Sequence, residues 1–248
     1  MTKVRLIHLY PRELNIYADR GNLAVVAQRT AWRGIELEVV DVGHGDPLPA
    51  DGHIYYLGGG QDRDQAMVAE DLARTKGREL IARVDDGAVL FAVCGGYQLA
   101  GHGYTGVTGE RMPGIGLLDA DTIAEPSRLI GDIVIAAEIA GDTHTVVGFE
   151  NHAGRTRLGP GARPLGTVVT GNGNNGEDGT EGAVRDRAIG TYLHGPLLPK
   201  NPWLADRLIG WAVEFATGDT TPLRPLDDAM ETAAHTAAIA RARQPNRS

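Results

Sequence analysis

The stretch AVLFAVCGGYQLAGHG (Ala88–Gly103) decides the fold. Its first six residues are apolar without a break, as in a strand buried on both faces of a parallel sheet. Cys94 follows at once, then Gly95-Gly96, then a short helical pattern. The order strand, nucleophilic side chain, small residues, helix presents a side chain at the carboxyl edge of a sheet, where catalytic groups of open α/β folds gather. Working outward, Val4–Leu9, Ile35–Val42 and His53–Leu57 read as strands. Asn22–Trp32 reads as a helix stopped before Gly34, and Asp62–Val84 as one or two helices. Strands alternating with helices predict a parallel sheet with right-handed crossovers.

After Gly101 the texture changes. Ile133–Ile139 and Thr145–Phe149 are strand candidates between Gly-rich turns, and Gly171–Glu181 (GNGNNGEDGTE) is a polar loop without a core-forming residue. Ala188–Leu193 is a further strand. Pro202–Thr217 is an amphipathic helix with Pro at its start and Gly218 after its end. These elements predict one domain over residues 1–218, with 219–248 as a C-terminal tail. The Ala-rich run Ala229–Ala242 reads as a terminal helix docked late or on a partner.

Composition narrows the function classes. The 248 residues are 42% hydrophobic and 23% charged, enough apolar material for a core. Lys+Arg 24 against Asp+Glu 32 gives a net charge of −8, which argues against a nucleic-acid or anionic-membrane surface. No apolar run approaches the roughly 18 residues of a membrane span. Pro11 interrupts the N-terminus before a signal-peptide core forms, so the expectation is a cytoplasmic protein. With Cys94 as the single cysteine, neither an intrachain disulfide nor a cysteine-based zinc site can form, and no metal is expected.

A lone cysteine at a strand end is most often a buried filler. The apolar strand before Cys94 and the two glycines after it favour a reactive thiolate instead, lowered in pKa by the helix start. A thiolate nucleophile needs a base that later protonates the leaving group. His194 fits, because it ends the strand AIGTYL and precedes Gly195-Pro196; His152 in FENHAG competes with it. His8, His53 and His102 read as packed or surface residues. Donors for an oxyanion come from the amide of Gly95 and from Gly58-Gly59-Gly60, which closes its own buried strand.

These residues carry a resemblance. The motifs YLGGGQ (Tyr56–Gln61), AVCGGYQL (Ala92–Leu99), GFENHAGRT (Gly148–Thr156) and GTYLHGP (Gly190–Pro196), in this order, resemble class I glutamine amidotransferases of the CobB/CobQ-like, cobyric-acid-synthase branch. With NIYADRGN (Asn15–Asn22), the length and the lack of an ATPase domain, the likeness is greatest to the glutaminase subunits of lipid II isoglutaminyl synthases. It spans roughly Val4 to Phe215. It implies a flavodoxin-like open, mostly parallel sheet with helices on both faces. It also implies hydrolysis of L-glutamine through a glutamyl thioester on Cys94, with His194 as general base and acid. Gly59 and Gly95 become the oxyanion hole, and Arg128 and Gln98 become glutamine-binding residues. No cofactor is implied in this chain. ATP and Mg belong to a MurT-like Mur-ligase partner, which uses the ammonia to amidate the D-glutamate α-carboxyl of lipid II.

One departure stands out. Many class I amidotransferases carry an acid two positions after the catalytic histidine, and here that position is Pro196. Glu150 and Asp19 are candidate carboxylates to orient His194, with the partner subunit as another source. The rival readings are a glutaminase serving a cobyrinate-type ligase, a stand-alone cysteine amidohydrolase, and a non-catalytic module that keeps the fold.

Overall fold

Two uninterrupted apolar runs become the central strands, with every residue of IYYL and VLFAV buried. The computed structural model describes residues 2–14, 20–60 and 62–244. Along the first half run β1 (Lys3–Leu9), α1 (Arg20–Trp32), β2 (Glu36–Val42), β3 (Ile54–Leu57), α2 (Asp62–Asp71), a π-helical turn (Leu72–Lys76), α3 (Gly77–Asp85), β4 (Val89–Val93) and α4 (Gly95–Ala100). A strand-rich segment follows: β5 (Gly103–Thr105), β6 (Arg111–Pro113), β7 (Ala120–Ile139), β8 (Asp142–Leu158), β9 (Gly166–Thr170), β10 (Thr180–Glu181), β11 (Ala183–Arg185) and β12 (Ala188–Thr191). A 3₁₀ turn (Leu198–Lys200), α5 (Pro202–Thr217) and α6 (Ala229–Ala242) complete the chain.

The first sheet has the order β11-β12-β4-β3-β1-β2, and all its pairs are parallel except β11 with β12. From β2 to β12 this is the flavodoxin-like order, with β12 in the fifth place. The expected α/β class is therefore the observed one.

A second sheet, β10-β9-β7-β5-β6 with β8 on β7, is inserted between α4 and β11. The sequence reading had only fragments of it. Ile133–Ile139 and Thr145–Phe149 belong to the long strands β7 and β8, joined where Ala140 and Gly141 both take positive φ. The first half of β7 is polar and contains Pro126, so hydrophobic alternation does not mark it. Its pairing slips there: Ala124 faces Gly154 and Leu129 faces His152, so five steps on β7 match two on β8. Such a bulge bends the strand and re-aims its side chains. Arg128 stands in it.

α5 buries Leu204, Ala205, Leu208, Ile209, Ala212 and Val213, and Gly218 closes it at φ 72°. The tail folds back on its own chain. α6 buries no residue and is held by polar contacts. Arg241 Nε donates to Asp132 at 2.7 Å, and His235 Nδ1 donates to the Lys200 carbonyl at 2.7 Å. Behind them lies Arg29, 1% exposed, which forks onto Asp206 of α5 (2.6 and 2.7 Å) and onto Asp228 at the start of α6 (2.6 and 3.1 Å). Removing one member of such a set strands buried charge. Arg29→Met is therefore expected to lower unfolding free energy by about 3 kcal/mol, read by urea denaturation. It should also open the segment after Gly218 to protease; unchanged stability and cleavage would show that the ion pairs do not hold the tail.

Candidate active site

The carboxyl ends of β3, β4 and β12 form one edge, and the site is built there. Cys94 takes φ 52° and ψ −108°, a strained conformation for a non-glycine residue, at the turn from β4 into α4. The sharp turn brings α4 close to β3. Gly96 N donates to Gly58 O at 3.0 Å, and a Cβ on Gly96 would lie 2.8 Å from that same oxygen, so only glycine fits. The Gly58–Gly60 loop thus lies directly beside the nucleophile's turn. A Cβ on Gly95 would come within 3.1 Å of Gly60 N. Cys94 itself is 7% exposed.

Cys94 N donates to the Thr191 carbonyl at 2.8 Å, continuing the parallel register in which Val93 faces Thr191. His194 follows three residues later on the same strand end. Its backbone forms a two-bond bridge with Phe149 of β8, at 2.9 and 3.1 Å. The imidazole is buried. Burial first, then the electrostatic influence of His152 and Arg128, push its pKa down to about 4. At neutral pH it holds a lone pair ready for a proton.

Arg128, expected from resemblance alone, is one of the charges acting on His194. Its Nε and Nη2 donate to the side-chain and main-chain oxygens of Asn151, both at 2.7 Å, which fixes the fork beside His152. Gln98 lies under the elbow rather than open to solvent. Its Oε1 accepts from Gln65 at 2.7 Å and its Nε2 donates to the Tyr192 hydroxyl at 3.1 Å. With both ends engaged inside the protein, the side chain lies as a strut between Gln65 and Tyr192.

The candidate carboxylates divide. Glu150 is fully buried and accepts from Asn172 N, Asn172 Nδ2 and Gly173 N at 2.7–2.9 Å. The imidazole it meets is that of His152, with 3.9 Å between Glu150 Oε2 and Nε2. Asp19 lies outside the described residues. Pro196 packs on the start of α1: a Cβ on Gly21 would stand 2.5 Å from its Cγ.

The motif GFENHAGRT turns out to be a wall of the site. His152 stacks on Tyr192 with centroids 3.6 Å apart, and its Nδ1 donates to Gly154 O at 2.8 Å. Gly154 leaves room for the strut, since a Cβ there would sit 2.6 Å from Gln98 Nε2. Thr156 Oγ1 lies 2.7 Å from the Tyr192 hydroxyl. Tyr192, Gln65, Thr156 and Asn174 were not singled out by the sequence. Tyr192 and Thr156 lie inside quoted motifs, which was their only signal. A polar residue in a helix and an asparagine in a polar loop give none.

The remaining histidines stand apart: His8 faces Asp41 and Tyr56, and exposed His102 bonds Asp119. A cavity of about 880 Å³ lies between α5 and the tail, lined by Trp203, Trp211 and Leu223, and none of Cys94, Gln98, Arg128, Glu150, His152 or His194 lines it. Among the described residues no group of three His, Cys, Asp or Glu is placed to hold a metal ion, and no helix is long and apolar enough to cross a membrane.

Residues 5–202 match the model of the CobB/CobQ-like glutamine amidotransferase domain. Among curated proteins the chain is similar to subunit GatD of the glutamine-hydrolysing lipid II isoglutaminyl synthase of Staphylococcus aureus (strain N315). The identity is 40% over 215 residues, 86% of either chain. It is 36% identical over 230 residues to the same subunit from Streptococcus pneumoniae (strain ATCC BAA-255 / R6), covering 92% of this chain and 87% of that one. Among solved structures, PurLQS from Thermotoga maritima shares the fold, with a TM-score of 0.56 at 16% identity over 86% of this chain and 96% of that one.

Proposed function

Because the chain belongs to the CobB/CobQ-like glutamine amidotransferase family, we propose that it is the glutamine-hydrolysing subunit of a lipid II isoglutaminyl synthase. The observation that carries this reading is the strained Cys94 elbow beside the strand end that bears a buried, neutral histidine. Cys94 gives its proton to His194 and attacks the side-chain carbonyl carbon of L-glutamine. The oxyanion is met by the amides of Gly59 and Gly95. His194 returns the proton to the departing nitrogen, so ammonia leaves and a glutamyl thioester remains. Water, deprotonated by the same imidazole, then releases glutamate and restores the thiol. Arg128, its Nε and Nη2 held by Asn151, meets the substrate α-carboxylate through Nη1, and Gln98 braces the elbow.

The ammonia passes to a MurT-like ligase. That partner supplies ATP and Mg and activates the D-glutamate α-carboxyl of lipid II, giving D-isoglutamine in the cytoplasm. The test is ammonia release from L-glutamine by the chain alone and with this ligase, ATP and lipid II. Release that rises with the ligase and yields amidated lipid II is expected. A chain that associates with a cobyrinate-type ligase, or that cleaves other amides and spares glutamine, overturns the reading. Arg128→Ala should raise KM for glutamine about tenfold or more while kcat changes little; an unchanged KM removes Arg128 from the substrate site.

A further inference from the structure

The polar loop from Gly171 to Glu181 has no part in the chemistry above, yet it closes the site from behind. Its Asn174 is fully buried. Asn174 Oδ1 accepts from the Tyr97 hydroxyl of α4 at 3.2 Å and from Gly182 N at 3.0 Å, and its carbonyl accepts from Thr156 N at 2.8 Å. The loop ends at Glu181, whose side chain is fully buried against the end of β12. Glu181 Oε1 accepts from Tyr192 N at 2.6 Å, and Thr191 Oγ1 lies 3.1 and 3.2 Å from the two carboxyl oxygens. Thr191 Oγ1 also accepts from Leu193 N at 3.0 Å, which shapes the approach to His194.

These bonds meet in one peptide plane. The Thr191–Tyr192 peptide accepts the Cys94 N–H with its carbonyl and donates its N–H to Glu181. A carboxyl that fixes this plane fixes the nucleophile on one side and the chain leading to the histidine on the other. We propose that Glu181 is a positioning residue that sets the relative placement of Cys94 and His194, with the 171–181 loop as its rigid support. This rests on the reading of Cys94 as nucleophile and His194 as its proton carrier.

Charge state matters to the clamp. Burial, with the charge of Glu150 nearby, pushes Glu181 up to about 8 against the hydrogen bonds from Tyr192 N and Thr191, so at pH 7 it is a neutral acid. Glu150 on β8 and Tyr97 on α4 are the titratable groups that face it. Ionisation above that pH places a second charge beside Glu150 in the interior. Glutamine keeps the neutral charge state, and its amide oxygen is an acceptor for Tyr192 N and for the Thr191 hydroxyl.

The experiment measures glutamine hydrolysis by the full chain and its Glu181→Ala, Glu181→Gln, Thr191→Val and Cys94→Ala forms across pH. Glu181→Ala is expected to lower kcat about 100-fold, the effect of a misplacement near 1 Å, with KM nearly unchanged. Glu181→Gln should restore most of that loss at pH 7 and lack the Glu181-linked fall in rate expected of the wild type above pH 8. Thr191→Val removes the hydroxyl's bonds to Glu181 and from Leu193 N and keeps the volume, so it carries the test if the alanine form does not fold; a kcat loss of about tenfold is expected. Wild-type kcat in both Glu181→Ala and Thr191→Val, beside an inactive Cys94→Ala, overturns the clamp alone. So does a Glu181→Gln form as impaired as the alanine form. Activity surviving in Cys94→Ala overturns the hydrolase reading itself.

Discussion

Replacing Cys94 by alanine is expected to abolish ammonia release from L-glutamine, lowering kcat/KM by at least about 10⁴-fold, because no other group in the site can form the thioester. Stability offers a second readout. At φ 52° and ψ −108° both cysteine and alanine pay for the Cβ, whereas glycine does not. Cys94→Gly should therefore be equally inactive yet more stable than Cys94→Ala by about 1–2 kcal/mol in urea denaturation. Ammonia release that persists in either variant removes Cys94 from the mechanism. Equal stability of the two variants shows that the elbow holds no strain.

His194→Asn carries the next largest effect, a loss of about 10³–10⁴-fold in kcat, since an amide cannot carry the proton from sulfur to the leaving nitrogen. The same group gives a pH signature. Unfolded chains bind a proton at His194 below about the ordinary 6.5, while the folded chain does so only below about 4. Between those values the unfolded state holds more protons, so stability rises with pH across the window and is lost as pH falls through it. In the asparagine form this part of the stability slope should vanish, and melting temperatures from pH 4 to 7 show it. A slope identical in both proteins would place the buried titration elsewhere.

The fold was legible where burial is two-sided. IYYL and VLFAV have no polar residue to confuse the strand signal, and α5 is bracketed by Pro202 and Gly218. The second sheet was legible only in part, because ADTIAEPSRLIGD pairs through its backbone while its side chains obey no simple alternation. The site behaved alike. Cys94 and His194 announce themselves by standing where strands end. The burial of Gln65 and Asn174, and the seating of Glu150 on Asn172 and Gly173, depend on contacts between segments far apart in the chain, and local pattern carries no record of them.

The seam between Gly21 and Pro196 has a consequence for how this enzyme can be altered. A proline ring rests where many amidotransferases carry an acidic residue, and it fills the space that a bare α-carbon leaves open. Grafting a glutamate onto position 196 removes that ring and sets an ionised group against the first turn of α1. The coupling runs one way: any side chain at position 21 meets the ring, so the start of α1 can be enlarged there only once Pro196 has been replaced.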